Sequence, residues 1–220
     1  MAIRVEVWGD YALFTRPEMK TERVSYDVMT PSAARGLLES IYWHPGMKWC
    51  IDRIHVCSPI RFTNIRRNEV KDTISARKVK TVMEKGQGEL YLATPESIQQ
   101  RAAMVLTNVR YVIDAHFVMT DNAAPGDNPG KFQDIIKRRL ERGQFYSMPY
   151  FGTREFPAHF RRCTALPPCP EELRGTQSLG WMLWDMDYSD PKNITPRFFR
   201  AVLTDGVLHV PQPGSEEVRA

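Results

Sequence analysis

The chain has no apolar run near the roughly 20 residues that a bilayer-crossing helix needs. Its opening, MAIRVEVWGD, lacks the basic, apolar and small-residue succession of a secretory leader. A cytosolic (cytoplasmic) protein with no membrane partner is the expectation. Cysteine is scarce: Cys50, Cys57, Cys163 and Cys169 are the four in 220 residues, and none stands in C-x-x-C spacing. That argues against a zinc knuckle or ribbon and for four reduced, structural thiols. Histidine is scarce too, with five residues and neither H-x-x-x-H nor H-E-x-x-H spacing. Neither G-x-G-x-x-G nor a Walker A pattern occurs, so no glycine loop is set to cradle a phosphate. No cofactor and no metal site is expected.

What the chain does contain suits one compact domain, or a domain with a long appendage: 42% hydrophobic and 25% charged residues. In IRVEVWGDYALFT, Ile3, Val5 and Val7 alternate with Arg4, Glu6 and Trp8, the period of a half-buried strand ending near Gly9 and Asp10. TPSAARGLLESIYW reads as a helix with Thr30 as N-cap, Pro31 at its first position and Ala34, Leu37, Leu38 and Ile41 as its apolar stripe. Pro45 turns His44 away from helical geometry, leaving Tyr42 and His44 at the helix end, outside that stripe. WCIDRIHVCSPIRFTNIRR is extended, and RYVIDAHFVM is the clearest strand. It sets Tyr111, Ile113, Ala115, Phe117 and Met119 on one face and Arg110, Val112, Asp114, His116 and Val118 on the other. NPGKFQDIIKRRLERG gives a second helix, with Phe132, Ile135, Ile136 and Leu140 inward and Gly143 as the stop. The order β-α-β-β-α is most of a ferredoxin-like or RRM-like unit. The fold class is therefore α+β. A ferredoxin-like/RRM-like domain spans residues 1–143 with a basic insertion near 61–85, and a C-terminal antiparallel β-sheet extension spans 144–220. Asp205 and Gly206 mark a hairpin turn in that extension, and the tail PGSEEVRA reads as disordered.

Net charge is only +4, a mild excess that permits an anionic partner without identifying one. The charge is concentrated, however: Arg61, Arg66, Arg67, Lys71, Arg77, Lys78, Lys80 and Lys85 face only Glu69, Asp72 and Glu84. Such a stretch can follow a phosphate backbone, because each cation near a phosphate releases condensed counterions; a solvated loop is the plain alternative. Asp185 and Asp187 in WDMDY share a strand face and could hold a divalent cation, although an edge strand often presents two such carboxylates to water. Without a metal, general acid–base chemistry remains. A histidine, a tyrosine hydroxyl and a cation suffice to cut RNA, whose 2′-hydroxyl is its own nucleophile. On sequence alone the first reading is Tyr42 as a helix-end packing residue and His116 as a hydrogen-bonded strand residue beside Asp114.

One pattern runs through the chain. GDYALFTRPEMKTERVSYDVMTPSAARGLLESIYWHP, then AHF, PYFGTREF and LGWMLWDMD, in that order, strongly resemble the signature of the Cas5 family, d subtype, the RAMP proteins of type I-C CRISPR systems. The resemblance implies an RRM-like domain with a C-terminal extension. It implies metal-independent endonucleolytic cutting of the CRISPR precursor transcript at the repeat hairpin, with the 5′ tag of the guide RNA (crRNA) retained in the Cascade surveillance complex. The implied partners are the repeat RNA and the backbone and large subunits of Cascade, with DNA binding a further possibility. The family's catalytic tyrosine maps to Tyr42 in SIYW and its catalytic histidine to His116 in AHF, with Trp43, His44 and Lys48 as candidate RNA contacts. The lysine that the family carries beside the histidine has no match, since Ala115 precedes His116 and Phe117 follows. Lys48, Lys20 and His44 are the freer replacements, whereas Arg110 stands six residues along the strand, about 20 Å at ~3.3 Å per residue. The rival readings are a Cascade assembly subunit that binds without cutting, and a metal-dependent DNA nuclease built on Asp185 and Asp187.

Overall fold

The computed structural model describes residues 3–19 and 21–219; Lys20 lies outside the described residues. In chain order the elements are β1 (Ile3–Ala12), β2 (Arg23–Val24), α1 (Pro31–Ile41), β3 (Met47–Val56), β4 (Phe62–Val70), α2 (Ala76–Lys85), β5 (Ile98–Met119), α3 (Pro129–Arg142), β6 (His159–Arg162), β7 (Thr176–Asp187), β8 (Thr195–Thr204) and β9 (Val207–His209). The class is mixed α and β: one large, mainly antiparallel sheet with few helices. Its strand order is β6-β1-β5-β3-β9-β8-β7, with β2 and β4 paired to the first half of β5. Among the described residues no helix is long and apolar enough to cross a membrane.

Two strands outrun their sequence signals. β1 continues past Gly9 because Tyr11 and Ala12 still pair, with Thr107 and Leu106. β5 is 22 residues long, about 70 Å at the usual rise, and changes partner midway. Residues 98–106 pair with β4 and residues 111–119 with β3. Between them Asn108 takes a positive φ of 50°, a conformation that asparagine tolerates.

α1 begins as the sequence predicts: Ala33 N donates to Thr30 Oγ1 at 3.2 Å, and Pro31 fills the first position. It stops at Tyr42, which is extended. α3 starts on Asn128, whose Oδ1 accepts from Lys131 N at 2.9 Å, and ends on Gly143 at φ 63°. Leu37, Leu38 and Ile41 of α1 and Phe132, Ile136 and Leu140 of α3 bury against Val5, Val7, Ile113 and Ala115. At about 1.5–3 kcal/mol per buried side chain, this face rather than helix propensity places both helices.

α2 was not expected within the basic segment. Its caps are Ser75 and the left-handed Gly86, and none of its residues is buried. With β4 and the first half of β5 it forms an arm. The C-terminal strands do not make a separate small sheet: β6 pairs with β1 and β9 with β3, so the extension continues the main sheet on both sides. The hairpin at Asp205 and Gly206 is present, both with positive φ, joining β8 to β9. The tail is ordered where it was expected to be loose. Arg219 and Phe198 exchange two backbone hydrogen bonds of 2.8 and 2.7 Å.

Candidate active site and nucleic-acid interface

His116 lies on the sheet face opposite the helices. Its neighbour Phe117 meets Phe132 of α3 with ring centroids 6.1 Å apart, and alternation sends His116 the other way. Opposite it, β3 carries a bulge: the register slips between Ile51 and Arg53, leaving Asp52 without a partner in the ladder. Both Asp52 oxygens stand 3.0 Å from His116 Nδ1. A carboxylate only accepts, so Nδ1 carries the proton and donates it. Gln212 Nε2 donates to Asp52 Oδ1 at 3.0 Å, and Val210 N to the Asp52 carbonyl at 3.1 Å.

Asp114 is therefore not the partner of His116. Arg4 Nε donates to it at 2.6 Å and His55 Nε2 at 3.0 Å. Burial pushes the Asp114 carboxyl up, but the bonds from His55 and Arg4 outweigh it and bring it down to about 2. Arg110 is committed as well: with Arg161 it clasps buried Glu6, at 2.7 and 2.6 Å. Burial opposes the Glu6 charge, and the two guanidiniums prevail, lowering its pKa. Lys48 differs. It pairs with Val118, so it shares the His116 face, and among the described residues it makes no ion pair.

Tyr42 sits on the other side of the sheet, and not outside the apolar stripe. It is 7% exposed and belongs to the core, with its ring 6.1 Å from Phe132 and the Arg139 guanidinium 5.1 Å from its centroid. Arg139 also donates to the Ile41 carbonyl, and Trp49 Nε1 to the Tyr42 carbonyl at 2.9 Å. Burial raises the phenol pKa; Arg139 and Lys131 offset part of this. The two residues flank the same end of the sheet, where Thr120 N donates to Gly46 O at 3.0 Å. Among the described residues no hydrogen bond, ion pair or ring contact joins Tyr42 to His116. His44 is also engaged: Nδ1 accepts from Gly46 N at 3.1 Å, and the ring lies 4.9 Å from Phe132. Trp43 is 58% exposed.

On the arm, Arg66, Arg77, Lys78 and Lys80 are exposed. Lys78 Nζ stands 5.8 Å from the Tyr91 ring, and Lys80 is 3.8 Å from Glu84. Arg67 is instead bound to Glu155 and lies 5.2 Å from the Phe156 ring. Asp185 and Asp187 line one cavity of about 730 Å³ together with Lys48 and Trp184. Each carboxylate already has a guanidinium: Arg35 forks onto Asp185 at 2.8 and 2.9 Å, and Arg197 donates to Asp187 at 2.7 Å. Among the described residues no three His, Cys, Asp or Glu side chains cluster as metal ligands would, and the four cysteines are free.

A family model described as CRISPR-associated protein Cas5, of the Cas5d type, matches residues 2–211. The chain belongs to the Cas5d family. A relative from Mannheimia succiniciproducens, the CRISPR pre-crRNA endoribonuclease Cas5d, is 50% identical over 99% of this chain and 98% of its own. Another of that name from Thermus thermophilus is 36% identical over 98% of this chain and 94% of its own. A crystal structure of a CRISPR-associated protein superposes with a TM-score of 0.68, covering 100% of this chain and 97% of that one at 21% identity, which speaks to the fold.

Within this Cas5d chain the signature motifs have separate physical jobs. PYFGTREF buries Phe151, whose carbonyl accepts from Leu13 N at 3.1 Å, tying the loop to the end of β1. LGWMLWDMD is β7, anchored to α1 through Asp185 and Arg35. Sequence reasoning missed Asp52, Gln212 and Arg139. Asp52 depends on a one-residue register slip, and Gln212 on a loop contact across 160 positions. Arg139 had a faint signal, a cation in the last turn of a helix.

Proposed function

We propose that this Cas5d chain is a metal-independent endoribonuclease that cuts the CRISPR precursor transcript at the repeat hairpin. In this reading it stays on the 5′ tag of the guide as a Cascade subunit, beside the backbone and large subunits. The observation that carries the reading is half-identity, across essentially the whole chain, to a relative named for cutting pre-crRNA. The strand order β6-β1-β5-β3, with α1 and α3 on one face, supports a ferredoxin-like unit whose fourth strand, β6, comes from beyond residue 143, so that residues 1–143 supply three of its strands and 144–220 the fourth and the strands added past β3.

In this scheme His116 and Tyr42 share the proton transfers. His116 Nε2 takes the 2′-hydroxyl proton, the 2′-oxygen bonds to phosphorus, the P–O5′ bond breaks, and Tyr42 gives its phenolic proton to the departing 5′-oxygen. In-line displacement sets attacking and leaving oxygens on opposite sides of one phosphorus, so in this scheme Tyr42, buried against Phe132, turns out of the core round the sheet end to reach the leaving oxygen. Burial keeps the phenol protonated, as an acid must be. Lys48, which makes no ion pair among the described residues and shares the His116 face, is a cation for the phosphorane. Trp43 and the arm residues Arg66, Arg77, Lys78 and Lys80 offer stacking and phosphate contacts. His44 and Arg67 have intramolecular partners to exchange first.

The test is cleavage of repeat RNA in excess EDTA, beside a substrate with one 2′-deoxy nucleotide at the cut site. The ribose form should be cut to a 2′,3′-cyclic phosphate, and the deoxy form bound but intact. His116→Ala and Tyr42→Phe should each slow cutting by about 100-fold or more, with binding kept. A 3′-hydroxyl product, or cutting that needs magnesium, overturns the scheme. Binding of both substrates with cutting of neither makes the protein an assembly subunit.

A further inference from the structure

We infer that Asp52 is the positioning residue of His116, and that Gln212 braces the Asp52 carboxylate from its far side. The role rests on the endoribonuclease reading above, but the contact itself does not. Three observations converge on it. The β3 bulge removes Asp52 from the ladder and re-aims its side chain at His116. Both carboxylate oxygens sit 3.0 Å from Nδ1, so the ring is held in the Nδ1–H tautomer, with the Nε2 lone pair facing outward. Gln212 then holds Oδ1 from the far side, while Val210 N holds the Asp52 backbone.

No other group near His116 competes for that role. On the same face of β3 lie Cys50, which is buried, and Lys48, a donor without an acceptor site. Along β5, Asp114 is held by Arg4 and His55, and Arg53 stands across from it. Among the described residues nothing bonds His116 Nε2. The imidazole is about one-third exposed, enough for a ribose hydroxyl to approach. A histidine with its tautomer fixed by a carboxylate and its other nitrogen free has the arrangement a general base needs.

Gln212 sharpens the consequence. In Asp52→Asn, as long as Gln212 keeps its NH₂ on position 52, the new carbonyl turns to Gln212 and the new NH₂ turns to His116. The NH₂ donates to Nδ1, the ring proton moves to Nε2, and the lone pair that would accept the 2′-hydroxyl proton is gone. The fold need not change.

Two measurements on the full chain test this. Long-range ¹H–¹⁵N correlation at alkaline pH reads the imidazole tautomers, the His116 signal being the one lost in His116→Gln. Wild type should show a protonated Nδ1 and a bare Nε2, and Asp52→Asn the reverse. Cleavage of repeat RNA by Asp52→Asn should fall in kcat by on the order of 10²–10⁴-fold, with KM and RNA binding unchanged. Gln212→Ala, a milder surface change that leaves the carboxylate in place, should lower kcat by a few-fold while the ring keeps its Nδ1–H tautomer. An unaltered tautomer in Asp52→Asn, or a reversed tautomer with full cutting, overturns the positioning role while the nuclease stands. If wild type cuts no repeat RNA, the nuclease reading falls and takes the role with it, even where the tautomer reverses.

Discussion

Asp114 shows how tightly the open face of the sheet is wired. Its carboxyl is held at about 2, below the ordinary value of about 3.9, so its contribution to stability is complete above about pH 4 and fades as pH falls through about 2. Asp114→Asn should therefore cost about 2 kcal/mol at pH 7, measured by urea unfolding. The gap to wild type should be roughly halved at pH 3 and nearly closed at pH 2. An equal gap at pH 7 and pH 2 would show that packing, not charge, makes the difference. None of this wiring was legible beforehand. The alternation in RYVIDAHFVM placed Asp114 and His116 on one face correctly, but adjacency on a face made them look like partners. The register of two neighbouring strands decides otherwise, giving Asp114 to Arg4 and His55, and His116 to Asp52.

Glycines separate the elements that tolerate a side chain from those that do not. Gly152, in the PYFGTREF turn, has φ of 80°, and a Cβ there would lie 1.9 Å from the Leu13 carbonyl oxygen. Gly36, inside α1, has nothing within 4 Å of the same atom. Gly152→Ala should lower stability by about 3 kcal/mol and Tm by roughly 10 °C. Gly36→Ala should raise stability by about 0.5–1 kcal/mol. Thermal melts of the two variants check both, and equal melts would remove the backbone clash as the reason for glycine in that loop. Elements that bury a face were readable: α1 and α3 have apolar stripes and side-chain caps, and both begin where Thr30 and Asn128 place them. α2 was missed because it buries nothing, leaving Ser75 and Gly86 as its only punctuation. β6, four residues long, is too short to show a period.

At the scale of the whole molecule, the proposed function assigns grip to the arm and chemistry to the sheet. Replacing Arg77, Lys78 and Lys80 together by alanine should weaken RNA binding and reduce its log–log salt slope by about 2 to 3. Arg67→Ala should instead lower stability with little change in slope, because its charge is already spent on Glu155. Titrations of repeat RNA at several salt concentrations distinguish the two, and an unchanged slope in the triple variant would take the arm out of RNA binding. The completion of the sheet by β6 on one side and by β9, β8 and β7 on the other was beyond sequence reading, since no local pattern says which edge a strand will find. That completion also sets a timetable. A ribosome delivers β1 well before β5, its partner through Ile3 and Ala115, and Gln212 only after every strand has emerged. Until then Asp52, the proposed support of His116, lacks the hydrogen bond from Gln212. The site proposed for cutting is thus completed only when β9 and the loop after it have joined the sheet.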